Sequence, residues 1–223
     1  MLEVNSIKTI VIFSIMITLF FSVLPYSDSF AQNTNTSSDA TKMNQINLPC
    51  ELTLPTVQGP YYKEGAPIKE GKEFVGEMEG ERLVVTGKVM SFLGCHPVNG
   101  AVLDFWQADS KGKYDNTDFN LRGKVISDEN GNYTLDTVLP GSYSDGNIIR
   151  PAHIHVKAWI PENPGNPSLV SQLYFEGDPN MDIFVKEPLI MKIVDKNGTK
   201  FDKNGTKFAN FDFVLEDYRD FGK

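Results

Sequence analysis

Arg82-Leu-Val-Val-Thr-Gly-Lys-Val-Met90 is rich in β-branched residues and bounded by turn formers, which is how a strand reads in sequence. Working outward, residues 101–107 (Ala-Val-Leu-Asp-Phe-Trp-Gln) alternate apolar and polar. Residues 124–127, 133–136, 153–159, 169–175, 189–194 and 208–215 have the same texture. Turn and loop chemistry separates them at Asp128-Glu-Asn-Gly131, Pro140-Gly141 and the proline-rich 161–167. Many short strands at this spacing predict an all-β protein, a β-sandwich of mostly antiparallel strands with long loops carrying any site. No long amphipathic helix is visible, and a short one is expected around residues 181–185.

The N-terminus is a separate object. Lys8 precedes an uncharged apolar run over residues 9–24, followed by Pro25 and the small-residue pattern Ser29-Phe30-Ala31. That order reads as a secretory signal peptide over residues 1–31. If it is not cleaved, the run becomes a membrane anchor, although it is short for a span. Residues 32–47 are rich in Asn, Thr and Ser and read as a flexible linker, so the folded domain is expected over 48–223. Export places the chain in an oxidising compartment. An even count of two cysteines, Cys50 and Cys95, then predicts one disulfide tying the N-terminal arm to the core.

The formal net charge of −8 over 223 residues argues against a nucleic-acid partner, which would want a basic patch. Asn35, Asn132, Asn197 and Asn204 each open an N-x-[ST] sequon. Asp195-Lys-Asn-Gly-Thr-Lys-Phe201 recurs at once as residues 202–208. Each copy carries Asn-Gly, so the repeat reads as a duplicated turn lengthening one surface hairpin.

Two of the three histidines lie in Arg150-Pro-Ala-His153-Ile-His155-Val. On a strand, residues i and i+2 share a face, so His153 and His155 can aim both imidazoles at one point while Ile154 turns to the opposite face. Imidazole is a common transition-metal ligand. Taken alone, the pair reads equally well as two satisfied or surface histidines. His96, beside Cys95 in a turn-like stretch, reads as structural. Acidic residues are plentiful, so a histidine–carboxylate site is open. Two tyrosines, Tyr114 after Lys-Gly-Lys and Tyr143 after Pro-Gly-Ser, sit in turns close to strands. Phenolates suit iron(III), a hard and highly charged Lewis acid. Two phenolates and a hydroxide would balance its charge, and two neutral imidazoles would fill the remaining positions.

The chain resembles the intradiol ring-cleavage dioxygenases, in the protocatechuate 3,4-dioxygenase-like, exported, single-domain form. The resemblance rests on Gln58-Gly-Pro-Tyr-Tyr62, Pro97-Val-Asn-Gly-Ala101, Asp104-Phe-Trp-Gln-Ala-Asp109, Gly112-Lys-Tyr114, Leu121-Arg-Gly123 and 128–133. It continues through Pro140-Gly-Ser-Tyr143, Arg150-Pro-Ala-His-Ile-His155 and Gln172-Leu-Tyr-Phe-Glu-Gly-Asp-Pro179. Each motif is weak, whereas the ordered set is specific. It implies a non-haem Fe(III) held by Tyr114, Tyr143, His153 and His155. It implies a small-molecule catechol and O2 as reactants, opened between the hydroxyl-bearing carbons to a cis,cis-muconate-type diacid. Tyr143 then serves as internal base, Arg150 as the active-site arginine and Gln172 as a supporting glutamine. Tyr62 and Trp106 are expected in the pocket wall, where they read equally well as core aromatics.

Gln58 stands where the family often has Glu. The small, polar residues 144–147 stand where relatives acting on protocatechuate often carry a bulky aromatic, which implies another substrate or an open pocket. The helical N-terminal segment of catechol 1,2-dioxygenases has no counterpart. Membrane contact is expected only through an uncleaved leader, and a homo-oligomer is left open. Two rival readings remain: a non-catalytic, transthyretin-like binding module, and a zinc or copper site built from His153, His155 and a carboxylate.

Overall fold

The computed structural model describes residues 50–70, 74–76, 78–194 and 205–216. The leader, the linker, the sequons at Asn35, Asn197 and Asn204, and residues 195–204 of the repeat lie outside them. Among the described residues the elements run β1 (Arg82–Ser91), β2 (Val102–Gln107), β3 (Arg122–Ile126), β4 (Asn132–Val138), β5 (Tyr143–Asp145), β6 (Ile148–Arg150) and β7 (His153–Trp159). They continue with β8 (Leu169–Phe175), a 3-10 turn (Glu187–Leu189), β9 (Ile190–Met191), β10 (Ile193–Val194), β11 (Lys207–Asn210) and β12 (Phe213–Leu215). Residues 181–185 are turn rather than helix, and the 3-10 turn Glu187–Leu189 lies just beyond, with Pro188 in its first turn. The strands flanking the repeat, β10 and β11, pair antiparallel.

Two five-stranded sheets, β10-β11-β1-β12 with β4 on β1 and β3-β2-β7-β8-β9, enclose the core, and β5-β6 forms a separate hairpin. β1 alternates buried and exposed residues, sending Leu83, Val85 and Val89 inward. Its first part pairs in parallel with β11 and its last part with β12. The expected strand 208–215 is therefore broken at Phe211-Asp212. Gly87 makes room for the break: the Phe211 carbonyl oxygen lies 1.8 Å from where a Cβ on Gly87 would stand. Phe211 N–H donates to Thr86 O (2.9 Å) and Lys88 N–H donates to Asp212 Oδ1 (2.8 Å), satisfying the break. Gly87→Ala is expected to cost about 3 kcal/mol or more through this backbone collision. The check is a lower denaturant midpoint at unchanged slope.

β2 and β7 are buried on both faces. Their inner face, Leu103, Phe105, Ile154, Val156 and Ala158, joins the core. Their outer face is roofed by the N-terminal arm. Thr56 N–H donates to Val170 O, Ser171 Oγ to Leu54 O and Gln172 Nε2 to Val57 O. The arm is pinned at its start by the Cys50–Cys95 disulfide, as expected from the cysteine count. Closing a loop across a separation of 45 residues stabilises by about 4 kcal/mol in the chain-entropy account.

Candidate active site

The outer face of the second sheet carries the chemistry. Cross-strand register sets Arg122, Trp106, His155 and Gln172 in one row, with His153 opposite Tyr174 in the next. Period-two geometry does what it must: His153 and His155 face outward and Ile154 lies in the core. The two Nε2 atoms are 3.1 Å apart, which fits two ligands of one ion each about 2.1 Å away. His153 Nδ1–H donates to Pro151 O (2.7 Å), which leaves its Nε2 lone pair free. Burial lowers the pKa of His153 to about 4 and that of His155 well below the usual imidazole value, so both rings are neutral. Trp106 stacks face to face on His155, with centroids 4.8 Å apart.

Two loops bring in the tyrosines. Gly112 adopts φ +77°, and a Cβ there would stand 2.3 Å from Ser142 O. Gly141 N–H donates to Asp109 O (2.8 Å). This close loop-on-loop contact sets the Tyr114 and Tyr143 rings edge to face, 5.5 Å apart. The Tyr114 hydroxyl lies 3.4 Å from His153 Nε2, and the Tyr143 ring lies 5.6 Å from that of His153. Burial raises the pKa of both phenols, and Arg150 opposes the rise. Such phenols ionise in this setting only beside a strong positive charge.

Arg150 stands opposite Tyr143 across the β5-β6 hairpin. Its Nε donates to Asp182 Oδ2 (2.6 Å) and its Nη2 to Gln172 Oε1 (3.2 Å), and its guanidinium lies over the Phe184 ring. Gln172 Oε1 also accepts from the Tyr174 hydroxyl (2.8 Å), whose pKa burial pushes up to about 12. Asp178 accepts from Ala152 N–H (2.8 Å) and fixes the turn before His153. Tyr114 and Tyr143 also line a cleft of about 470 Å³, together with Tyr61, Lys113, Ser144 and Ile149 among others.

Tyr114, Tyr143, His153, His155, Arg150, Gln172 and Trp106 are thus brought together. Tyr62 meets Trp106 edge-on at 4.9 Å, and its hydroxyl donates to Asp104 Oδ2 (3.2 Å). Its neighbour Tyr61 stacks on Tyr114 at 4.2 Å and meets Tyr143 edge-on. His96 is exposed and stands apart. Sequence reasoning also passed over Asp182, Asp178, Tyr174 and Arg122. Arg122, buried, donates to Asp115 O (2.8 Å) and Tyr61 O (2.5 Å), fastening the arm to the segment after Tyr114. The β5-β6 hairpin was legible in Gly146-Asn147, a favoured kind of two-residue turn. The acidic partners carried no local signal.

The donor set fits a hard trivalent ion: two neutral imidazoles and two phenols with converging polar atoms. His155 Nδ1 is buried without a hydrogen-bond partner, which argues against a merely satisfied core histidine. Among the described residues no carboxylate completes a cluster of three with the histidines, so the zinc or copper reading lacks its third ligand.

A family model described as Dioxygenase (Dioxygenase_C) matches residues 57–217. Chlorocatechol 1,2-dioxygenase of Rhodococcus opacus is 31% identical over 193 residues, covering 74% of this chain and 72% of the relative. Catechol 1,2-dioxygenase of Acinetobacter baylyi is 31% identical over 194 residues, covering 72% of this chain and 60% of the relative. Among solved structures, the dioxygenase domain of a dioxygenase–carbohydrate-binding protein fusion from Streptomyces sp. SirexAA-E is 36% identical with a TM-score of 0.63, covering 74% of this chain and 99% of that one. The structure of 3-chlorocatechol 1,2-dioxygenase from Rhodococcus opacus 1CP is 29% identical with a TM-score of 0.63, covering 74% of this chain and 72% of that one. The matched region includes all four converging ligand-type side chains and the arginine beside them, and the chain belongs to the intradiol ring-cleavage dioxygenase family.

Proposed function

We propose that this chain opens a catechol between its two hydroxyl-bearing carbons with O2, giving a cis,cis-muconate-type diacid. We propose that non-haem Fe(III) is held by Tyr114, Tyr143, His153 and His155. The observation that carries the reading is the convergence of two phenols and two neutral imidazoles beside a buried arginine. When bound, ferric iron supplies Lewis acidity for catechol chelation and the redox character that lets the ring react with O2.

The protein's own groups divide the remaining work. Tyr143, half-exposed at the cleft and opposite Arg150, is placed to take a substrate hydroxyl proton at its Oη. Arg150 stays charged at any working pH and stabilises the anionic substrate and product. Gln172 and Asp182 fix its two edges. Trp106 and Tyr61 cover the flanks of His155 and Tyr114 and keep water off the buried side. The apolar run over residues 9–24 and the Cys50–Cys95 disulfide support a place outside the cytoplasm.

The test is a visible absorption spectrum of the iron-loaded protein, before and after catechol is added without oxygen. A broad phenolate-to-iron band that moves to longer wavelength with catechol is expected. A colourless protein with stoichiometric iron would remove tyrosinate ligation and with it the proposal.

A further inference from the structure

Two strand positions along the same outer sheet face, a second cleft of about 540 Å³ opens between the arm and the 160–167 loop. Lys124 and Lys157, which flank the buried Asp104 in cross-strand register, line it. Its walls are flat and apolar: the rings of Tyr62 and Trp159, with Pro161, Pro164 and Pro167. None of the six ligand-type and arginine-network residues of the active site lines it. Tyr62 separates the two places, meeting Trp106 edge-on at 4.9 Å while Trp106 stacks on His155.

Asp104 is buried and accepts the Tyr62 hydroxyl (3.2 Å), and burial raises its carboxyl pKa to about 6, a rise that Lys124 and Lys157 oppose. Lys157 Nζ lies 3.6 Å from the Tyr62 ring centroid, a cation resting on the aromatic wall of the cleft. Among the described residues neither Lys124 nor Lys157 makes an ion pair. Two ammonium groups that make no salt bridge, set between flat aromatic and prolyl surfaces, match a planar ring carrying an anionic group. Exposed Glu64 at the rim disfavours a second negative charge, which restricts the ligand to a monoanion.

We propose that this cleft is a second, non-catalytic site for an aromatic monocarboxylate, with the ring against Tyr62 and Trp159 and the carboxylate at Lys124 and Lys157. Its lining has no imidazole and no second phenol, so a ligand there is bound and not cleaved. The inference stands independently of the iron site.

Calorimetric titration of the iron-loaded protein with benzoate tests it, since benzoate lacks the paired hydroxyls needed to chelate like a catechol. One-to-one binding is expected, and it should persist when anaerobic catechol saturates the active site. Lys124→Gln/Lys157→Gln should weaken benzoate at least about tenfold, as loss of charge-assisted contacts does. Catechol turnover by that variant should be unchanged, and a matching melting curve shows that it folds. Lys157→Gln alone serves should the double variant unfold, with a smaller loss expected. Methyl benzoate, neutral and of similar shape, should bind far more weakly than benzoate. No benzoate binding at millimolar concentration would overturn the proposal. So would binding displaced by catechol, unchanged in the lysine variants, or matched by the methyl ester.

Discussion

Replacing His155 with alanine is expected to leave a folded protein that no longer takes up iron or turns over a catechol. The fall in activity should exceed the roughly 10–100-fold that loss of an outer-shell partner costs. The reason lies in how the ring is held. It is buried, its Nδ1 has no partner, and its Nε2 points at that of His153. Such a ring contributes little to the metal-free fold beyond its stack on Trp106. Its removal exchanges an unsatisfied polar atom, worth about 1–3 kcal/mol of penalty, against lost packing. The measurement is a melting curve with and without ferric iron. Wild-type protein should gain stability on loading by mass action, and the variant should not respond. His153→Ala should behave alike. Full iron retention in either variant would overturn the ligand assignment.

Arg150→Met is expected to keep iron but lower turnover about 10²–10³-fold, the scale for losing one preorganised charge-stabilising donor. Arg150 and Asp182 form an ion pair whose side chains are 9% and 10% exposed. Breaking such a pair on one side leaves a buried charge and costs about 3–5 kcal/mol, so the single variant should also melt early. Arg150→Met/Asp182→Leu removes both charges and should recover most of that stability without recovering turnover. The cycle thus separates the structural from the chemical part of Arg150. A single variant with wild-type turnover would leave Arg150 with only its structural part.

Several features of the site were legible in the sequence because they are local. Strand periodicity alone puts His153 and His155 on one face and Ile154 on the other, and the structure places them so. The short, turn-bounded β-branched runs announced the sandwich. Strand ends were less legible. Nothing local marks that the last strand would break in two where the carbonyl of Phe211 fits against Gly87, more than a hundred residues away. The choice between Tyr61 and Tyr62 was equally hidden. The arm turns at Pro60-Tyr61, and only its docking decides which ring faces Tyr114.

By itself, then, the amino-acid order determined the strands, the paired histidines, the cysteine link and, through its ordered motifs, the family. Tertiary structure decided which tyrosine roofs the site, that Asp182 and Gln172 grip Arg150 from two sides, and that Arg122 ties the arm to the Tyr114 loop. The physical reason is range. Alternation and turn chemistry act between neighbours, and repeat along the chain with a fixed period. A loop laid on a loop at Gly112 and Ser142, or a carboxylate meeting a guanidinium 32 residues away, is set only when the whole chain packs.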